Sequence, residues 1–130
     1  MVLVVIIAIP TCLLLALREV GAWGTRIHMR SVTRSLAEWA IEYGKIQDDQ
    51  QAERAIGMLG YARDYYILCE GYRGDSRTEA ALEAQRAQTL AAIAAGLRRY
   101  TGRDFGVDDD QWLKWWQSEH GVDRSEPQLR

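Results

Sequence analysis

Sixteen residues without a charge, Val2 to Leu17, stand at the start of the chain and end abruptly at Arg18 and Glu19. A bilayer-spanning helix needs about 20 apolar residues, within a range of roughly 17 to 25. The run spans only if its helix continues through Val20, Gly21, Ala22 and Trp23, which puts Trp23 at the depth that interfacial tryptophans occupy. A secretory signal peptide is the second reading, weakened by the lack of a basic residue before the apolar run and of a small-residue cleavage site after it. A third reading is a helix buried in a soluble core or against a partner. Cys12 lies inside the run and not at a junction with a polar chain, so it does not mark a lipoprotein. The reading adopted is an anchor over 1–24, a helical domain over 25–118 and a polar tail over 119–130.

The charge pattern supports that division. Arg18, Arg26, Arg30 and Arg34 face a single acid, Glu19, between residues 18 and 34, whereas 104–130 carries seven acids against three bases. A short basic stretch beside an apolar run is a membrane flank and not a nucleic-acid footprint. By the positive-inside rule it places the bulk of a single-pass chain on the cytoplasmic side. Cys12 and Cys69 have no metal-ligand spacing and make a poor disulfide pair; both are expected as buried free thiols.

The body reads as all-α. With only two prolines and no alternating strand pattern beyond residue 20, about four helices are expected besides the apolar one, arranged as a small antiparallel bundle or as helical hairpins. Val32, Leu36, Trp39, Ala40 and Tyr43 give a first amphipathic stripe ending at a left-handed cap on Gly44. Asp48 and Asp49 cap a second helix with the stripe Ala52, Ala55, Ile56, Leu59, Ala62 and Tyr66, ending near Gly71. Gly57 and Gly60 weaken it by about 1 kcal/mol each relative to alanine, and are expected where a neighbouring helix comes close. Ser76 with Glu79 has the spacing of a capping box, opening a third helix to Tyr100 with Leu90, Ile93, Ala94 and Leu97 inside.

The stretch from Tyr100 to Trp116, "YTGRDFGVDDDQWLKWW", closes the domain. Gly102 ends the third helix, Phe105 turns inward, and Gly106 frees the turn. Asp108 caps a fourth helix, repeating the capping-box spacing with Gln111. Trp112, Trp115 and Trp116, at i, i+3 and i+4, share one face, and burying one such ring removes about 150–250 Å² from water. The segment from Arg98, "RRYTGRDFGVDDDQWLKWW", resembles the ending of HEAT-like helical repeats of bacterial proteins. The resemblance implies paired antiparallel helices, a scaffold or protein-binding role and no catalytic residues, with Gly102, Phe105, Gly106, Asp108, Trp112 and Trp115 as structural positions. The motif has no second copy and the chain no 30–50-residue period, so a small capped unit is expected and not a long solenoid.

Sharper chemistry finds little support. "DFG" at 104–106 lacks every other kinase element, and Asp108 to Asp110 lack the alternating acids and terminal glutamate of a calcium loop. His28 and His120 have no ligand or base spacing around them. No cofactor and no small-molecule substrate is indicated. The expectation is a non-catalytic, membrane-tethered scaffold or protein-interaction module whose partner surface is Trp39, Tyr61, Tyr65, Tyr66 and Tyr72. The alternative is a soluble subunit of a larger helical-repeat assembly, whose first helix packs against a partner.

Overall fold

A computed structural model describes the backbone of residues 2–67 and 75–121 and, within them, the side chains of 19–21, 23–67 and 75–121. Four helices make up the described chain: α1 (Val2–Tyr43), α2 (Asp49–Asp64), α3 (Ser76–Thr101) and α4 (Asp109–His120). The fold is a small all-helical bundle. The expected apolar helix and first amphipathic helix are one continuous α1 of 42 residues. The physical reason is that nothing between residues 24 and 31 breaks a helix: there is no proline, and Gly21 and Gly24 weaken a helix without ending it.

The third helix is the spine, packed along α1 on one side and α2 on the other. Its inner stripe is Leu82, Arg86, Thr89 and Ile93, continuing to Leu97, all buried. Leu90, expected inside, is only half-buried. Two features let α1 approach closely. Gly96 lies so near Gly44 that an added β-carbon would stand 2.7 Å from the Gly44 carbonyl oxygen. The Thr89 hydroxyl donates to the Leu36 carbonyl at 2.8 Å, tying the two backbones together in the interior. Gly44 has no left-handed backbone, contrary to expectation; a β-carbon there would stand 2.5 Å from the Ala40 carbonyl oxygen and 3.4 Å from that of Ala92 in α3. Arg99 then donates to the Gly44 carbonyl at 2.7 Å, placing a cation where the helix dipole is negative.

Local caps set the remaining ends. The Asp48 carboxylate accepts from the Gln51 N–H at 2.7 Å and starts α2. At α3 the cap is Asp75 and not Ser76: its carboxylate accepts from both the Thr78 N–H, at 2.9 Å, and the Thr78 hydroxyl, at 2.8 Å. The second helix stops at Asp64 and not near Gly71. Tyr66 follows with φ of 55°, a left-handed conformation costly for a residue with a β-carbon. The buried Arg86 holds that turn, donating to the Tyr65 carbonyl at 2.8 Å and the Tyr66 carbonyl at 3.0 Å while paired with Glu83.

The carboxy-terminal segment seals one end. Gly102, at φ 72°, donates back to the Arg98 carbonyl at 2.9 Å and ends α3. Gly106, at φ 57°, makes the following turn. Asp108 accepts from the Gln111 N–H at 3.0 Å, and the Gln111 side chain returns to the same carboxylate at 2.8 Å. Trp112 is fully buried with its indole N–H on the Gly106 carbonyl at 2.9 Å, and Trp116 is buried beside it. Phe105 stands edge-on to Trp112 at 4.9 Å. Both tryptophans join Ala52, Ala55, Ile56, Leu59, Ile93 and Leu97 in one core cluster. The backbone neighbour of α4 is α2, not α3 as sequence order suggests. At Gly60 a β-carbon would meet the Asp109 carboxylate at 2.5 Å, the end of a side chain and not the backbone of α4. Gly57 has open space instead and serves no such contact.

Among the described residues no helix is long and apolar enough to cross a membrane. The side chains of 2–18, with Cys12 among them, lie outside that description, as do residues 68–74, with Cys69, Gly71 and Tyr72 among them, and 122–130.

Candidate functional site

Trp39 of α1, Tyr61 of α2 and Tyr65, the residue that caps the end of α2, meet where the two helices run side by side. Tyr61 and Tyr65 are one turn apart, so their rings lie over the same groove. Ring centroids stand 5.5 Å apart for Trp39 and Tyr61, 4.9 Å for Trp39 and Tyr65, and 5.3 Å for the two tyrosines. These are ordinary aromatic contact distances. Trp39 and Tyr65 are half-buried on the second core cluster, Val32, Leu36, Ala62 and Leu82. Tyr61 sits above them and is 54% exposed. The cluster is thus anchored from below and open above.

Helical spacing extends this face along α2. Arg54, Met58, Tyr61 and Tyr65 recur at i, i+4, i+7 and i+11, one side of a helix. Arg54 is exposed, and Met58 is half-buried against the first core cluster. On α1, Glu38 accepts from Arg34 at 3.1 Å on the outer face of the helix, about 100° round from Trp39. Farther along α2, Arg63 bridges Asp64 and Asp109, and its hydrogen bond holds the Asp64 carboxyl below the usual carboxylate range. Arginine and large aromatics with a polar rim are the composition of binding hot spots.

The predicted residues divide in two. Gly102, Phe105, Gly106, Asp108, Trp112, Trp115 and Trp116 all lie in the turn and plug beneath the first core cluster. Of the predicted partner surface, Trp39, Tyr61 and Tyr65 come together. Tyr66 does not join them; its ring stands edge-on to His28, 4.9 Å away. Tyr72 lies outside the described residues. Sequence reasoning missed Arg86 and Thr89, the two polar members of the inner stripe. Their signal was present: Leu82, Arg86, Thr89 and Ile93 follow i, i+4, i+7 and i+11, and a polar pair inside an apolar stripe marks buried hydrogen bonds.

Of the acidic residues before α4, Asp108 caps the helix and Asp104 holds the turn through the Gly106 N–H at 3.0 Å. The Asp108 carboxyl is held below its ordinary value by the Gln111 backbone N–H and then by the Gln111 side chain. Asp104 is lowered by the Gly106 N–H and by Arg98, which donates to it at 3.1 Å. Among the described residues no three His, Cys, Asp or Glu side chains are grouped to hold a metal ion. No protein-family model matches the chain, and neither the curated proteins nor the solved structures hold a match to it.

Proposed function

We propose that the chain is a non-catalytic helical module, tethered to a membrane by the beginning of α1, that docks a protein partner on the face of Trp39, Tyr61 and Tyr65. The observation that carries the docking half is the open three-ring cluster, anchored on the core yet uncovered at Tyr61. Covering such rings removes apolar area from water at little entropic cost, because the rings beneath Tyr61 are already held by the fold. The tether rests on the uncharged run Val2 to Leu17, with the arginines behind it directing the body to the cytoplasmic face. In this reading the HEAT-like ending closes a scaffold and takes no part in chemistry.

A second reading, a subunit of a larger helical assembly, is favoured by one feature: Val20, Trp23 and Ile27 of α1 are exposed, and a partner helix could cover them. Two experiments decide. Alkaline extraction of membranes from expressing cells keeps the full chain in the pellet if it is tethered by an integral helix, and releases it if the second reading holds. A photo-crosslinking residue at Tyr61 yields a defined protein adduct that Trp39→Ala abolishes, while the same residue at the exposed Gln88 yields none. A Tyr61 adduct pattern identical to that of Gln88 overturns the docking face.

A further inference from the structure

The outer face of α1 changes character in a fixed order along its axis. Successive residues turn by about 100° and rise about 1.5 Å, so Val20, Trp23, Ile27, Arg30 and Arg34 fall within a sector of about 80°. Met29, Val32 and Leu36 point the opposite way and are buried against the bundle. Val20, Trp23 and Ile27 are 65%, 62% and 45% exposed, so the bundle leaves them uncovered. Arg30 and Arg34 follow on the same side, both exposed. The series is apolar, aromatic, apolar and then cationic. It continues without a break the helix that carries the uncharged run Val2 to Leu17.

We propose that this face is seated in an anionic lipid surface, with Trp23 at the boundary of the hydrocarbon and Arg30 and Arg34 on lipid phosphates. The proposal rests on the tethered reading above. A helix leaving a bilayer passes from hydrocarbon to headgroups over about 5–7 Å on each side. Tryptophan gathers at that boundary. Arg30 lies about 10 Å beyond Trp23 along the axis, and its long stem lets the guanidinium turn back to the phosphates. Arg34 lies one turn farther, about 16 Å beyond Trp23, and comes within reach of phosphate because the helix leaves the bilayer tilted; it holds Glu38 at 3.1 Å, an exposed pair that a phosphate readily exchanges with. Each basic residue near such a surface adds about 1 kcal/mol of attraction, screened beyond a Debye length.

The seating fixes where the bundle stands. Thr25 is half-buried and Met29 wholly buried within the same turns as Trp23 and Ile27. One side of these turns faces lipid while the other holds the bundle, so the body rests against the bilayer with no linker between them. A partner therefore meets the Trp39, Tyr61 and Tyr65 face within about 24 Å of the hydrocarbon boundary along the axis of α1, since Trp39 lies sixteen residues beyond Trp23. That geometry selects partners that are themselves near the surface.

The test reconstitutes the full chain into vesicles of phosphatidylcholine, with or without phosphatidylglycerol, that contain lipid brominated near the headgroup end of the acyl chain. Bromine quenches only nearby indoles, so about one of the five tryptophans loses emission. Trp23→Phe abolishes that quenching while the protein still floats with the vesicles. Arg30→Gln combined with Arg34→Gln leaves flotation intact and removes the extra quenching that phosphatidylglycerol produces. Flotation with no quenching of Trp23 overturns the seating and assigns the stripe to a second copy or a partner helix, leaving the tether standing. Equal quenching in both lipids overturns the anionic preference. Failure to float removes the tether and this inference with it.

Discussion

Trp112 and Trp23 are the same residue on the same kind of helix, yet one is fully buried and the other 62% exposed. What differs is the supply of partners. Trp112 has an apolar wall from α2 and α3, an edge-on Phe105 and a carbonyl, that of Gly106, for its indole N–H. A buried indole without that acceptor would lose more than a kilocalorie to desolvation, by the usual cost of about 1–3 kcal/mol for an unpaired buried polar group. Trp23 has no wall because it lies on the face of α1 turned away from the bundle, opposite Met29, Val32 and Leu36. Trp39 is intermediate, walled below by the second core cluster and open above. The molecule therefore has a closed end and an open side, and function is expected on the open side.

The largest expected effect falls at the closed end. Trp112→Ala removes the biggest fully buried side chain and leaves a cavity among Leu59, Ile93 and Leu97. Large aromatic-to-alanine changes in cores cost about 3–5 kcal/mol, a large share of the stability of a domain this size. Urea denaturation followed by circular dichroism should show the midpoint collapse. If Trp112→Ala unfolds no more readily than Trp23→Ala, the contrast between the two ends is wrong.

Glycines give a second, smaller contrast. In Gly96→Ala the new β-carbon meets the backbone of Gly44, which cannot turn aside as a side chain would. The α1–α3 contact must open, at about 1–3 kcal/mol for overpacking, despite alanine's better helix propensity. Gly57→Ala meets nothing and should stabilise by up to about 1 kcal/mol through propensity alone. Opposite signs for the two changes, read by thermal denaturation, support the packing; equal signs contradict it.

The helix ends and the closing motif were legible because they are local. Asp48, Gly102 and Asp108 each act within four residues of their partners, so spacing alone announces them. Asp75 displaced the expected Ser76 because two competent caps stood side by side and the longer acid reaches both groups of Thr78. Contacts between distant segments left no such trace. Nothing near Gly44 signals that Gly96 will lie against it, and nothing in α4 says that it will pack on α2. The aromatic face was half legible: helical spacing links Tyr61 to Tyr65, but only the path of α1 brings Trp39 to them and leaves Tyr66 with His28.

Acid should loosen the closed end in a defined window. Asp108 and Asp104 have carboxyls held below their ordinary 3.8, by the Gln111 and Gly106 N–H groups first. A lowered folded value means that the stabilisation is complete above the unfolded value and drains as pH falls through the folded one. Stability should therefore hold from neutral pH to about 4 and fall below it, read as unfolding midpoints across that range. In Asp108→Asn the cap survives, since asparagine also caps well, but the titration is lost, so the acid slope should shrink. An unchanged slope assigns the acid sensitivity elsewhere.

The smallest effect on stability is expected where the functional effect is largest. Tyr61→Ala removes a ring that is more than half exposed and leaves Trp39 and Tyr65 seated on the core, so stability should change by no more than about 0.5 kcal/mol. Loss of a central aromatic anchor from an interface, by contrast, costs about 2 kcal/mol or more of binding, at least a tenfold loss of partner capture. The two numbers separate the roles of the ring. A large fall in stability would make Tyr61 a lid on the core, whereas unchanged stability with the partner lost from pull-downs of the Tyr61→Ala chain puts the partner on the open side of the molecule.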